Sequence, residues 1–486
     1  MDLLKNEKIK QYILVILVIT SIIQVGVLWN YQNGGMPTTF LWNIINAKND
    51  DVTIDMGDFF KPFRIIVTEG FENPHWVINE GDSYYDRLWE DTKYYLKNII
   101  SDNQIINKRE FPQSQWKEVI EKKSVIIEFK NNISSDLVAA FLGTSVSSNL
   151  NPEEIYKVAI LPAQNINNNA DVYIYDGEKV NMYTLNFYEG GLTRGEYDLI
   201  IDHLYMEKKE SFEVVNEIIR SSSRSPFDFE PDVLIVATGS KYRNFYNIIS
   251  SIPHDIANLN PKSSMDIDLI AEDILGNEKD SYIQSMHVDS MIVFKNFSNR
   301  YNIYIDGLLE YKYLSVMAKR EKGNEIEAFR KALEFIKKRE NLISEVDIYL
   351  SGMTDEGDYY KFHFDYKFNN IPVVINQYPV KNSDRNLDHA ITIRANSKRV
   401  LSCEWVLREF ETGNELMELN VNFGDLLDDT FKLYTELVNS DFSIRDKNVS
   451  YEVKYSLNKE SLVPTWVIET IDDKRYIVPM RQKKRR

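Results

Sequence analysis

Eighteen consecutive residues, Tyr12 to Trp29, carry no charge, and they follow Lys5, Lys8 and Lys10. At about 1.5 Å per residue a helix over this run covers roughly 27 Å, enough to cross the hydrocarbon layer of a bilayer. Tyr12, Trp29 and Tyr31 fall where interfacial aromatic side chains anchor such a helix. A cleaved signal peptide would end in small residues. Here Trp29-Asn-Tyr-Gln-Asn-Gly-Gly35 follows, so the expectation is an uncleaved anchor over residues 11–29. The lysines before it place the N-terminus in the cytoplasm and the bulk of the chain outside the cell membrane. Within the span, Thr20 and Gln24 share a helix face, with Ser21 beside them and Gly26 towards the outer end. Polar groups in lipid seek partners and small residues let backbones approach, so this face can meet a neighbouring helix. The alternative is that Thr20 and Ser21 bond to their own helix carbonyls and Gln24 reaches towards the interface.

The remainder has the material for sizeable cores, with 43% hydrophobic and 12% aromatic residues. Its 57 basic residues stand against 74 acidic ones, a formal charge of −17, which disfavours nucleic acid as a partner. Cys403 is the single cysteine, so neither an internal disulfide nor a paired-cysteine zinc site can form; it alternates within a strand and reads as a small buried side chain. The six histidines show no His-Glu-x-x-His spacing.

Acidic clusters at Asp266, Asp268, Glu272 and Asp273, and at Asp425, Asp428 and Asp429, could supply paired carboxylates for a hydrolase, but solvated helix faces explain both more simply. Leu142-Gly-Thr-Ser-Val146 is not a nucleophile elbow, and Glu189-Gly-Gly-Leu-Thr-Arg-Gly195 reads as a loop rather than a dinucleotide site. Asn49 to Asp55 misses the glycine and terminal glutamate of a calcium loop and reads as acidic stalk. No catalytic, cofactor-binding or metal-ligating residue is assigned.

The organisation expected is a cytoplasmic tail (1–10), a transmembrane helix (11–29), a stalk (30–60), an N-terminal α+β domain (61–285), a central domain (286–410) and a C-terminal α+β domain (411–486). Helical spacing runs through Tyr85, Leu88, Trp89, Tyr95, Leu96 and Ile99, and again through Ile326, Phe329, Ala332, Leu333 and Ile336. Asp176-Gly177 and Asp306-Gly307 sit between alternating aromatic strands and read as hairpin turns. The later part predicts a helix followed by an antiparallel meander, twice, with Pro372 confining its strand to a sheet edge.

These features resemble the YycH (WalH) family, membrane-anchored regulators of the WalK/YycG two-component sensor histidine kinase. The residues that carry the resemblance are the lysine-rich start with its span closing on Leu28-Trp29, the helix Tyr84-Tyr-Asp-Arg-Leu-Trp89, the segment Phe294 to Tyr311, and the closing strand Leu462-Val-Pro-Thr-Trp-Val-Ile468, which is similar to one shared with the related YycI family. The resemblance implies a non-enzymatic regulator whose later domains are YycI-like, working in a membrane complex with a WalK/YycG-like kinase and a YycI-like protein. The alternative is an extracytoplasmic ligand-binding module or an envelope-processing enzyme for which the span is a tether. The basic end Arg481-Gln-Lys-Lys-Arg-Arg486 reads as a solvated terminus or a contact with an anionic polymer.

Overall fold

The computed structural model describes residues 56–483, apart from 71–72, 148–151, 166–167, 189–190, 216–227, 231, 238–240, 259–263, 277–278, 280–281, 288–290, 316–321, 344–345, 381–383, 435–442, 454–458 and 471–473. The expected span and its residues Tyr12, Thr20, Ser21, Gln24, Gly26, Trp29 and Tyr31 therefore lie outside the described residues, as does Asn49 to Asp55. Among the described residues no helix is long and apolar enough to cross a membrane.

The folded unit begins inside the expected stalk. Met56–Phe59 form a 3-10 turn, and Phe60 is buried against Trp89, Phe129 and Phe141. From there the chain builds a nine-stranded antiparallel sheet, here the first sheet. Its centre is Arg64–Thr68, Ser124–Ser134 and Glu154–Leu161. Alternation divides these strands between two faces. Ile65, Val67, Val125, Ile127 and Val158 join the main core beneath the helix Tyr85–Ile100, while Ile66, Ile126 and Ala159 belong to a smaller core with Trp116. Arg194 and Gly195, expected in a loop, open the helix Arg194–Met206, whose first turn is closed by a reciprocal cap between Thr193 and Glu196.

A thirteen-stranded second sheet runs from Ile283–His287 to Arg475–Pro479, on both sides of residue 410. The helix Glu325–Lys337 buries Phe329, Leu333 and Ile336 against it, and the helix Phe423–Leu433 covers the end near Arg475–Pro479. Helix on meander is thus found twice, within a mixed α+β fold, but the two meanders are joined by one parallel pair, Ile371–Ile375 with Ser443–Val453. The strand of Pro372 is therefore interior, not an edge. It is tolerated because the pairing with Ser443–Val453 starts only at Val373, so the missing N–H of Pro372 leaves no gap in that ladder. The hairpin before it turns on Asn369 and Asn370, both at positive φ (50° and 62°), which suits a two-residue turn between twisted strands.

Both Asp-Gly pairs lie in the turns of hairpins. At the second, Gly307 has φ +89°, and a Cβ there would stand 2.8 Å from the Leu407 carbonyl oxygen, so the turn requires glycine. A three-stranded sheet of Tyr242–Ser251, Glu409–Asn420 and Glu460–Leu462 completes the fold. The main core is continuous between the halves: Phe141 meets Phe329 edge-on at 5.4 Å, and Ser134 donates a hydrogen bond to Glu325 at 2.9 Å.

Candidate functional site

Where the two sheets meet, charged residues take the place of apolar ones. Arg64, Glu128 and Lys157 sit directly opposite one another across three adjacent strands of the first sheet. Arg64 pairs with Glu128 and reaches across to Asp446 of the second sheet at 3.2 Å. Lys157 lies 3.6 Å from Glu128 and pairs with Asp232, which also accepts from the Trp116 indole N–H at 2.9 Å. Two residues along from Glu128, Lys130 meets Glu469 of the second sheet at 2.6 Å, with both side chains under a tenth exposed. Glu469 is shared with Arg475 at 3.4 Å and Arg445 at 3.7 Å, and Arg475 lies 3.8 Å from Asp365.

The electrostatics follow from this pairing. Burial alone would raise the Asp446 carboxyl, but Arg64, Lys130 and Lys157 hold it below the ordinary carboxylate value. At Glu469 the same conflict is won by Lys130 and Arg475. Burial lowers the guanidinium of Arg64 and the ammonium of Lys157, and their carboxylate partners more than reverse it. The seam is a set of buried charges that are stable only together; separating one partner leaves its mate uncompensated.

The outer end of the seam floors a cleft of about 1220 Å³. One wall carries Asn131, Asn132, Tyr156 and Tyr175 of the first sheet, the other Tyr476 of the second together with Asn376 and His389 from its connections. His363 and His389 stack at 4.1 Å. The His363 imidazole is pushed far down, by burial first and then by the neighbouring His389 and Lys361, so it is neutral at pH 7. Asp365 accepts from the Ala390 backbone N–H and lies 2.9 Å from His389 Nδ1, and Ser351 Oγ lies 3.3 Å from that same nitrogen. A serine nucleophile needs its base on one ring nitrogen and the orienting carboxylate on the other. Here both contacts fall on Nδ1, and Ser351 is 3% exposed. The cluster orients side chains but is not arranged as a proton relay.

The acidic clusters singled out in the sequence are not drawn together into a paired-carboxylate site. Asp268 and Glu272 are exposed on the helix Ser264–Leu275. On the second helix, Asp425 is answered by Lys241 at 2.7 Å, and Asp425 and Asp429 by Arg481. Part of the basic end is thus engaged, since Lys483 also pairs with Glu418. Among the described residues no group of three or more His, Cys, Asp or Glu side chains is placed to hold a metal ion. Cys403 is a free, fully buried thiol, pushed up by burial.

No residue of the seam was singled out by the sequence reading. The signal available was a charge at every second position of an otherwise apolar strand, as in Glu128 and Lys130 after Ile126.

Comparisons with known proteins add the following. Among curated proteins none matches the chain. A crystal structure of an uncharacterized protein from Eubacterium rectale ATCC 33656 covers 57% of this chain and 94% of its own length, at 13% identity and a TM-score of 0.34. Residues 7–195 match the family model of the YycH protein, N-terminal domain, a segment that includes the apolar run and the centre of the first sheet. Over residues 7–195 the chain thus carries the N-terminal domain of the YycH family.

Proposed function

We propose that this chain is a single-pass membrane regulator of a WalK/YycG-type sensor histidine kinase, acting in complex with the kinase and a YycI-like membrane protein and without catalysis of its own. Its N-terminus is cytoplasmic and both sheets lie outside the cell membrane. The observation that carries the reading is the family match, which starts before the apolar run and continues without a break into the first sheet as far as the start of the helix Arg194–Met206. The apolar run and the centre of the first sheet thus fall within one matched segment.

The mechanism is differential binding. If the face Thr20, Ser21, Gln24 and Gly26 packs better against one state of the kinase's membrane helices, that state is favoured, and a difference of about 1.4 kcal/mol shifts the ratio tenfold. The seam supports this by tying the two sheets together through buried ion pairs.

The test replaces residues 11–29 by a poly-leucine anchor of equal length and measures kinase output, with cysteine crosslinking from Thr20, Ser21, Gln24 and Gly26 to the kinase and the YycI-like protein in a Cys403→Ser background. Loss of regulation with the sheets still folded, and crosslinks confined to that face, are expected. Regulation retained on the poly-leucine anchor overturns the transmembrane mechanism and favours the tethered ligand-binding module.

A further inference from the structure

A second cavity, of about 410 Å³, lies where the first sheet, the three-stranded sheet and the Asn369-Asn370 hairpin converge. Its lining departs from the character of the chain. Five of the charged side chains on it are cationic, Arg64, Lys209, Arg243, Lys367 and Lys447, and one, Glu210, is a carboxylate, in a protein of formal charge −17. Three of these cations already have partners: Arg64 has Glu128 and Asp446, Lys209 has Asp82, and Arg243 has Glu210.

The other two have no ion-pair partner among the described residues. Lys367 donates to the Phe63 backbone carbonyl at 3.3 Å and meets no carboxylate among the described residues. Lys447 is 6% exposed, and its ammonium rests on the Trp466 ring at 4.5 Å with Phe423 beyond at 5.7 Å, with no hydrogen-bond acceptor among the described residues. Burial lowers both. Lys447 is brought to about 7, with Asp446 and Glu210 opposing the fall and Arg64 and Arg243 adding to it; Lys367 falls despite Glu80 and Asp347. Neither amine has a carboxylate in contact among the described residues, and an anion entering the cavity would supply the pairing that a cation removed from water requires. The rest of the wall combines the apolar side chains of Phe212, Leu234, Phe245 and Trp466 with the amides of Asn79, Asn369 and Asn370, a mixture found in cavities that take small organic ligands.

We infer that this cavity binds a small amphipathic anion, its oxyanion head answered by Lys447 and Lys367 and its apolar body lying against Trp466, Phe245 and Phe212. Both large sheets and the three-stranded sheet contribute to the lining, so occupancy would tie their positions together. The inference stands independently of the kinase reading.

The test is calorimetric titration of octanoate into the full chain in lipid nanodiscs, with empty nanodiscs as the blank, at pH 8 in two buffers of different ionisation enthalpy. Octanol tests the head and inorganic phosphate tests the apolar body. Saturable octanoate binding with net proton uptake is expected, since burial lowers Lys447 and Lys367 in the empty cavity and the arriving anion favours their charged forms. Octanol and phosphate should bind at least tenfold more weakly. Lys447→Met should weaken octanoate at least tenfold and reduce the proton uptake, whereas Lys447→Arg should bind octanoate without the uptake that Lys447 supplies. Absence of saturable octanoate binding, octanol or phosphate binding as tightly as octanoate, or a Lys447→Met protein with unchanged affinity and uptake would each overturn the proposal.

Discussion

Replacing Glu469 by Gln removes one negative charge from the seam and keeps its volume. The carboxylate lies 2.6 Å from Lys130, 3.4 Å from Arg475 and 3.7 Å from Arg445. At an effective dielectric constant of about 20, each contact amounts to roughly 4–6 kcal/mol gross, and much of this offsets the desolvation of the ions. The two arginines keep 22% of their side chains exposed and can turn to solvent. Lys130, at 8%, cannot. The expected loss is therefore that of one broken buried pair, about 3–5 kcal/mol. Pulse proteolysis across a urea series is the assay; with a slope of about 3 kcal/mol per molar, the midpoint should fall by about 1–1.7 M at neutral pH. Acid supplies a second check. The Glu469 carboxyl is depressed in the fold because Lys130 and Arg475 outweigh its burial, so its contribution is complete above its unfolded value of about 4.3 and is lost as the pH falls through the lower folded value. The gap between parent and variant should narrow below about pH 4. An unchanged midpoint at neutral pH, or a gap that widens in acid, would refute the role of Glu469 as counter-charge between the sheets.

Three further substitutions probe the fold around the seam. Asn324 accepts from the backbone N–H groups of Ile326 and Glu327 at the start of the helix Glu325–Lys337, so Asn324→Ala should cost about 1 kcal/mol, read as a lower thermal midpoint. Leu333, on the buried face of that helix and 0% exposed, should cost about 2–5 kcal/mol as Leu333→Ala in the same urea assay, the spread depending on how far the neighbours collapse. Gly307→Ala meets both an unfavourable φ and the Leu407 carbonyl, and a loss of about 1–3 kcal/mol is expected, with faster hydrogen exchange in the hairpin Asn299–Tyr313.

Much of the fold was legible because it is local. The stripe from Tyr85 to Ile99 fixes a helix by its own spacing, and Asp306-Gly307 fixes a turn by the φ that its glycine supplies, so both elements are found where the residues place them. Pro372 shows where local reading stops: the rule that proline avoids a sheet interior concerns a missing N–H, and only the register reveals that the neighbouring ladder begins one residue later. The seam lies further beyond reach. Alternation in Ser124–Ser134 puts Glu128 and Lys130 on one face, yet it cannot say that another sheet lies across that face. Without that sheet both would be solvated and worth little. With Glu469 at 2.6 Å, from a strand 339 residues away, Lys130 becomes a buried pair that sets how the halves meet. The same reasoning applies to Lys447, which as sequence is one lysine among many. Its consequence comes from the aromatic rings and unpaired cation that tertiary structure brings to one cavity. In a chain this rich in charge, function is therefore sought less in which charged residues are present than in which of them folding has deprived of water.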